Sequence, residues 1–137
     1  MKKKLAAALL GVALGIAGTP TSAATINLSI LPGAQTANAG ETLVADIVIS
    51  GLGTGIPPSV GTFDVDISFA PSILAFGSVT FGTGLDVLGL GSMQGFTPGV
   101  GTLNLWEVSV DSSVDIDALQ PGSFTVASLS FKALAAG

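Results

Sequence analysis

Residues 60–81, VGTFDVDISFAPSILAFGSVTF, decide the fold. Apolar and polar side chains alternate without exception over 63–69. The apolar phase consists of Phe63, Val65, Ile67 and Phe69, and the polar phase consists of Asp64, Asp66 and Ser68. Because successive side chains of a strand point to opposite faces, this pattern predicts a half-buried antiparallel strand.

Pro71 interrupts this alternation. Proline cannot donate a hydrogen bond within a sheet, but its fixed φ suits the first turn of a helix. We therefore predict a single turn at 71–74 that carries Ile73 or Leu74 across the top of the core. Extended structure resumes over 76–81. The chain is expected to leave one sheet at this turn and to join another.

Other parts of the chain also have strand character. Alternation predicts strands over 25–30, 43–49, 102–110 and 123–133. The third of these changes phase, which indicates either a bulge near Trp106 or a strand covered on both faces. The fourth changes phase as well, and a bulge near 127–128 would reconcile its two halves.

Residues 77–101 contain eight glycines in 25 positions. Glycine at that density excludes a helix of useful length, because each one costs backbone entropy on folding. We expect either short strands around 85–90 joined by loops, or a flexible loop.

Many short strands and few charges predict an all-β protein, folded as a two-sheet antiparallel sandwich. Charged residues make up only 9% of the chain, so little of it is suited to a fully solvated surface. The seven phenylalanines all lie in or beside apolar strand segments, and we expect them in the core. They are Phe63, Phe69, Phe76, Phe81, Phe96, Phe124 and Phe131.

Residues 1–23 have the pattern of a secretory signal peptide. Basic residues at 2–4 precede an apolar run over 5–17, and Pro20 follows soon after. A membrane-spanning helix needs about 20 apolar residues, so the run is too short for an anchor. We predict that residues 1–23 are removed on export and that 24–137 form one domain.

The exported domain would keep one basic residue, Lys132, against nine acidic ones. Such a surface repels nucleic acid and anionic lipid. The chain has no cysteine and no histidine, which removes disulfides together with the commonest metal ligand and general base. It also lacks a G-x-S-x-G elbow and a Walker-type phosphate loop. We predict no enzyme activity, no catalytic residue and no cofactor-binding residue.

Three segments together resemble a known family. They are GETLVADIVISGLG (40–53), GTFDVDISFAPSILAF (61–76) and LQPGSFTVASLSFKA (119–133). Their order resembles that of the cohesin-like domain, a jelly-roll β-sandwich related to carbohydrate-binding modules. More narrowly, it resembles cohesin-like proteins that Gram-negative bacteria export with a PEP-CTERM sorting tail. In cohesins proper the resemblance implies a protein partner of dockerin type.

The sequence departs from this pattern at its C-terminal end. Cohesin-like domains continue beyond the equivalent of 135–137 into one more strand, which pairs beside the first, and into the sorting tail. We expect either a fragment of a longer protein or a sandwich that lacks its last strand. In the second case an open sheet edge beside 25–30 would invite strand addition, including self-association between copies.

Asp64 and Asp66 point the same way from one strand, about 6.5–7 Å apart by strand rise. That separation falls near the range of inverting glycosidases. An exposed strand face is nevertheless the ordinary place for charge, and nothing in the sequence implies a cleft. We therefore treat this pair as candidate ligand-binding residues without a catalytic role.

Alternating oxygen-bearing side chains in DSSVDIDAL suggest a calcium site. The candidate ligands are Asp111, Ser113, Asp115 and Asp117. The segment lacks the glycine and the distal glutamate of an EF-hand loop. The alternative is that Ser113 or Asp115 caps a short turn at 116–119, with acidic side chains near its N-terminus.

Trp106 is the only tryptophan, and the chain has no tyrosine. Sugar-binding platforms use exposed aromatic rings, usually several in a row, so we expect this ring to be packed. The leading hypothesis is a non-enzymatic extracellular binding or structural module, secreted or on the surface of a Gram-negative bacterium. It would bind a protein or a matrix component through a sheet face or an open edge. The alternative is a carbohydrate-binding module for extracellular polysaccharide, with Trp106 in its binding site.

Overall fold

The computed structural model describes residues 24–135, and the predicted signal peptide lies outside the described residues. Its elements are β1 (Asn27–Leu31), β2 (Thr42–Ser50), β3 (Thr62–Ser68), β4 (Leu74–Phe81), β5 (Ser92–Gly99), β6 (Thr102–Ser109), α1 (Ser113–Leu119) and β7 (Ser123–Ala133). Over this range no helix combines the length and the apolar character that crossing a membrane requires.

The strands form two antiparallel sheets. Sheet A has the order β1-β2-β7-β4, and sheet B has the order β3-β6-β5. Every strand pair in both sheets is antiparallel. The predicted all-β, two-sheet antiparallel jelly-roll sandwich is confirmed.

The turn after β3 changes sheet as predicted. The amides of Ile73 and Leu74 donate to the Ala70 carbonyl at 3.0 and 2.9 Å, which closes one helical turn behind Pro71. The turn joins β3 of sheet B to β4 of sheet A. Leu74 then packs against the core at the start of β4.

The core lies between the central strands of the two sheets. Its most deeply buried aliphatic side chains are 0–1% exposed: Ile47, Leu103, Leu105, Val126 and Leu129. The inward residues of β3 pack against this core while remaining partly exposed, because β3 lies at a sheet edge. The alternation predicted over 63–69 is therefore confirmed, with intermediate burial on its apolar face.

β6 has no bulge and its outward residue Trp106 is exposed, so neither alternative for its change of phase, a bulge near Trp106 or a strand covered on both faces, is correct. The strand pairs in continuous register with β3 and with β5. The inward position after Leu105 is Glu107, which is 1% exposed. The apparent change of phase arises because a carboxylate occupies an inward position while Trp106 faces outward.

β7 does contain the bulge that its sequence predicts. Ile47 of β2 pairs with Ala127, whereas Val48 pairs with Thr125, so Val126 is an extra residue in β7. Val126 and Ala127 are both buried, which is the consequence of one inserted residue. The bulge lies one residue before the predicted position.

The short strands expected around 85–90 in the glycine-rich segment are wrong, and these residues lie in the loop between β4 and β5. Residues 85–90 form turns rather than strands, and Leu85 is 1% exposed in the core. The Asp111 carboxylate anchors this loop by accepting hydrogen bonds from the amides of Val87 and Leu88 at 2.7 and 3.3 Å. The strand in this part of the chain is β5, which begins at Ser92.

Most phenylalanines occupy the expected core positions. Phe131 is buried, and five others pack partly buried against the same cluster. Phe96 is the exception, since 46% of it is exposed although its ring lies 5.8 Å from that of Phe76. Its strand, β5, is a sheet edge, and this explains the exposure.

α1 begins at Ser113, three residues before the turn expected at 116–119, and its N-cap lies one residue before Ser113. Ser112 is the N-cap, and its hydroxyl accepts from the Asp115 amide at 3.2 Å. The same hydroxyl donates to the Asp115 carboxylate at 2.6 Å. The capping role expected of Ser113 or Asp115 is therefore wrong, although Asp115 does lie in the first turn.

Candidate functional site

The outward side chains of β3, β6 and β5 form a surface that we call the sheet B face. Asp64 and Asp66 lie on it side by side along β3, which is an edge strand. The Asn104 amide nitrogen, on β6, donates to the Oδ1 atoms of Asp64 and Asp66 at 2.7 and 3.1 Å. One amide therefore fixes both carboxylates and leaves their Oδ2 atoms free to accept from a ligand.

Trp106 lies in the middle of this face, between Asp64 on β3 and Gly95 on β5. It is 37% exposed, so the expectation that this ring is packed is wrong. A Cβ atom at residue 95 would lie 2.8 Å from ring atoms of Trp106, so only glycine lets the indole lie against the β5 backbone. The ring therefore lies close to the β5 backbone at Gly95 while part of the residue stays exposed.

The far side of the sheet B face is apolar. Met93 on β5 is 58% exposed and pairs with Val108 on β6. Aromatic residues and methionine are enriched at protein interfaces, where they supply contact area. The sheet B face therefore combines an acidic border along β3 with an apolar patch formed by Trp106, Val108 and Met93 on β6 and β5.

No basic side chain lies on this face among residues 24–135. Lys132 is the only cation of that range, and it belongs to β7 in the middle of sheet A. Asp64 and Asp66 consequently have no internal counter-ion, and the face favours a ligand with positive charge.

Behind the face, Glu107 is buried on the inner side of β6. Its Oε1 atom accepts from the Ser92 hydroxyl at 2.5 Å, and its Oε2 atom has no hydrogen-bond partner within residues 24–135. Burial raises the pKa of the Glu107 carboxyl. The Ser92 hydrogen bond acts against that rise, and the nearby Asp86 carboxylate adds to it.

In the structure, the proposed calcium ligands form hydrogen bonds with different partners. Asp111 binds the 87–88 loop, Asp115 pairs with Ser112, and Asp117 accepts from the Ser59 hydroxyl at 2.5 Å. Ser113 is the first residue of α1. Over residues 24–135 no three acidic side chains lie close enough together to hold a metal ion. Calcium binding stays a prediction without a common centre to support it.

Sequence reasoning found Asp64, Asp66 and Trp106 but missed the residues that organise them. Asn104 carried a weak signal, since it alternates with Leu103 and Leu105 as an outward residue should. Gly95 and Met93 carried none, because β5 shows no alternation that separates it from a loop. Their positions depend on the pairing of β5 with β6.

Comparison with known proteins supports the fold. No protein-family model matches the chain, and no curated protein matches it. Solved structures of cohesins do match. One is the sixth cohesin of scaffoldin B from Acetivibrio cellulolyticus, in complex with a Cel5 dockerin mutant, with a TM-score of 0.58 and 19% identity. That alignment covers 82% of this chain and 73% of the cohesin.

Two further cohesins are similar to the same extent. The seventh ScaB type I cohesin from Pseudobacteroides cellulosolvens has a TM-score of 0.60 at 15% identity, over 80% of this chain and 65% of that one. A type II cohesin domain from the cellulosome of Acetivibrio cellulolyticus has a TM-score of 0.58 at 20% identity, and the alignment covers 82% of this chain and 70% of that one. The protein therefore has a cohesin-like fold.

Proposed function

We propose that the protein is a non-enzymatic protein-binding module, and that the sheet B face is its binding surface. The arrangement of Asp64, Asp66, Asn104 and Trp106 carries this proposal, because it presents ordered charge beside an exposed aromatic ring. The cohesin-like fold supports it, since one of the similar cohesins is in complex with a dockerin. The absence of cysteine and histidine from the sequence fits a binding role without catalysis.

The partner of this face is a protein with a basic and apolar surface. Lysine or arginine side chains would pair with the free oxygens of Asp64 and Asp66. An apolar contact would cover Trp106 and Met93, which lie in the middle and on the far side of the face. Interfaces of this kind draw most of their binding energy from a few central residues, and tryptophan is common among them.

We place the module outside the cell because residues 1–23 have the pattern of a signal peptide. The finer assignment is to exported Gram-negative proteins of the PEP-CTERM type, and it follows from the sequence resemblance. Fusion of residues 1–23 to a reporter that is active only after export tests the first point. An inactive, intracellular reporter would contradict it.

Site-specific photo-crosslinking tests the binding surface. A photoreactive side chain replaces Met93 on the sheet B face, and the matched control carries it at Val44, which is 50% exposed on the outer side of sheet A. In extracellular extract we expect a crosslinked protein from position 93 and none from 44. The Trp106→Ala change should remove the product. Equal crosslinking from both positions, or none from 93, would contradict the proposal.

A carbohydrate-binding module is the second candidate, and the exposure of Trp106 beside Asp64 favours it. A single stacking ring would give weak binding to neutral sugars. A glycan array with the parent protein and Trp106→Ala separates the two functions. Glycan binding that disappears in the variant, without any protein crosslink, would favour this candidate.

A further inference from the structure

The loop that joins β4 to β5 borders a cavity at one side of the sandwich. The cavity has a volume of about 320 Å³ and is lined by residues from the end of β4, the loop and the start of β5. No basic side chain lines it, because the only cation of residues 24–135 is Lys132 on the central strand β7. Four of its lining residues carry side-chain oxygen atoms: Thr83, Asp86, Ser92 and Gln94.

The loop holds the Asp86 carboxylate at this cavity. Its Oδ1 atom accepts from the Gly91 amide at 2.9 Å, and the Asp86 carbonyl accepts from the Gly89 amide at 3.3 Å. Gly91 has a φ of 94°, which glycine adopts without steric cost. The turn therefore positions the carboxylate before any ligand arrives, and Oδ2 is the oxygen available to bind one.

Glu107 reaches the same place from β6. Its Oε1 atom accepts from the Ser92 hydroxyl, and Ser92 directly follows Gly91. The carboxylates of Asp86 and Glu107 thus bind two consecutive residues, whose Cα atoms lie about 3.8 Å apart. The Ser92 hydroxyl also lies 3.3 Å from Oε1 of Gln94. Two carboxylates and two neutral oxygen atoms consequently gather at the start of β5.

This arrangement leaves negative charge without compensation. Glu107 is 1% exposed, and its Oε2 atom lacks a hydrogen-bond partner within residues 24–135. Burial and the neighbouring Asp86 carboxylate both raise the pKa of Glu107, against the effect of the Ser92 hydrogen bond. A proton on Glu107 would cancel only that charge, whereas a divalent cation would compensate both carboxylates.

The donor set suits calcium better than other common cations. Ca²⁺ takes six to eight oxygen ligands in flexible geometry, from carboxylates, neutral oxygen atoms and water, whereas Mg²⁺ requires a near-ideal octahedron. Over residues 24–135 no three acidic side chains converge, so this site offers two carboxylates and would complete its shell with water. We therefore expect a dissociation constant of about 0.1–1 mM, as in extracellular calcium-binding modules.

We propose that Asp86 and Glu107, with the Ser92 hydroxyl and the Gln94 amide oxygen, bind a calcium ion between β4 and β5. The ion would tie the β4–β5 loop to β6 and stabilise the folded chain, because the unfolded chain does not assemble these ligands. The site lies on the inner side of sheet B, so it is independent of the proposed binding face. It is also separate from the segment 111–117, for which the sequence predicts calcium.

Calorimetric titration of the chelator-treated, intact protein with calcium chloride tests this site. The site variants are Asp86→Asn and Glu107→Gln. An amide oxygen can still accept from the Gly91 amide or the Ser92 hydroxyl, so each variant loses a charge and keeps its hydrogen bond. The matched control is Asp115→Asn, which removes the same charge from the 111–117 segment.

We expect the parent protein to bind one calcium ion per chain. Each site variant should bind at least about tenfold more weakly, and the control should stay within about twofold of the parent. In 10 mM calcium the melting temperature of the parent should rise by about 5 °C or more.

The order of stability distinguishes a calcium ligand from a merely structural residue. In chelator, Glu107→Gln should melt above the parent, because it removes a buried charge that has no partner within residues 24–135. In 10 mM calcium this advantage should be lost, since the parent gains more from the ion.

Three results would overturn the proposal. They are no heat and no melting shift at 10 mM calcium, unchanged affinity in both site variants, and loss of binding in Asp115→Asn alone, which would place the ion on the 111–117 segment. Sodium chloride that raises the melting temperature as much as calcium, at equal ionic strength, would also overturn it in favour of screening. Calcium binding without a crosslink from position 93 contradicts only the proposed function, and a crosslink without calcium binding contradicts only the calcium site.

Discussion

β7 and β1 are both strands of sheet A with alternating apolar residues, and they lie at opposite extremes of burial. Leu129 of β7 is 1% exposed, whereas Leu28 and Ile30 of β1 are 51% and 49% exposed. Among the strands of residues 24–135, β7 has a neighbour on each side, whereas β1 has only β2 beside it. Alternation therefore assigns a side chain to a face, while the number of neighbouring strands determines how deeply that face is buried.

The same difference separates β6 from β3 in sheet B. Leu103 and Leu105 of the central strand are fully buried, whereas Val65 and Ile67 of the edge strand are intermediate. The outer strands β1 and β3 thus keep their apolar residues partly exposed, whereas the central strands β7 and β6 bury theirs. Four substitutions test this comparison.

The largest loss of stability is expected for a substitution in the central strand β6. Leu105→Ala removes a side chain with no exposed surface and leaves a cavity between the sheets. We expect it to lower the free energy of unfolding by about 2–5 kcal/mol, measured by urea denaturation. A loss below about 1 kcal/mol would mean that β6 does not lie in a close-packed core.

Replacing the buried Glu107 carboxylate on the same strand should, without divalent cations, raise the stability of the protein rather than lower it. Glu107→Gln removes a carboxylate whose Oε2 atom has no partner, and we expect about 1 kcal/mol of added stability at pH 7. Because folding raises the pKa of Glu107, the parent protein loses stability as pH rises from its ordinary value through the raised one.

The advantage of Glu107→Gln should therefore shrink as the pH falls through the ordinary glutamate pKa, because below that value the parent carboxyl is protonated in both the folded and the unfolded state. Urea midpoints of the two proteins at pH 4 and pH 7 measure this difference. An advantage that is equal at both pH values would show that the Glu107 pKa is not raised by folding.

A smaller loss of stability is expected for the same substitution in the edge strand β1. Leu28→Ala removes the same atoms as Leu105→Ala, but about half of the Leu28 side chain already faces solvent. We expect a cost of about 1 kcal/mol or less in the same urea experiment. A cost equal to that of Leu105→Ala would show that Leu28 is as deeply buried in solution as Leu105.

The smallest effect is expected on the outer side of sheet A. Val44 is half exposed on β2, a strand with two neighbours, so Val44→Thr keeps the strand-favouring branched side chain and adds only a hydroxyl. We expect the free energy of unfolding to change by no more than about 0.5 kcal/mol in the same urea experiment. A larger loss would indicate that the outer side of sheet A is covered.

The parts of the fold that follow from local pattern were predictable from the sequence. The alternation over 63–69 and Pro71 were enough to place β3, the turn and the change of sheet. The bulge in β7 followed from two apolar phases in one strand. β5 could not be predicted, because Ser92–Gly99 has no alternation and becomes a strand only by pairing with β6.

The candidate site was predictable to a smaller degree. Asp64 and Asp66 follow from period two alone, and the structure places them on one face as expected. Trp106 was assigned to the wrong environment, because an inward Glu107 looks like an outward residue in the sequence. The hydrogen bonds from Asn104 to Asp64 and Asp66 depend on the register of β3 against β6, and no local sequence pattern contains this register.

Amide hydrogen exchange measured residue by residue tests most directly whether neighbouring strands determine the order of this sandwich. The account predicts that β7 amides exchange only through global unfolding, and that β1 amides exchange at least about 100-fold faster. Protection of β1 equal to that of β7 would contradict it, because it would mean that the edge beside Leu28 and Ile30 is not open.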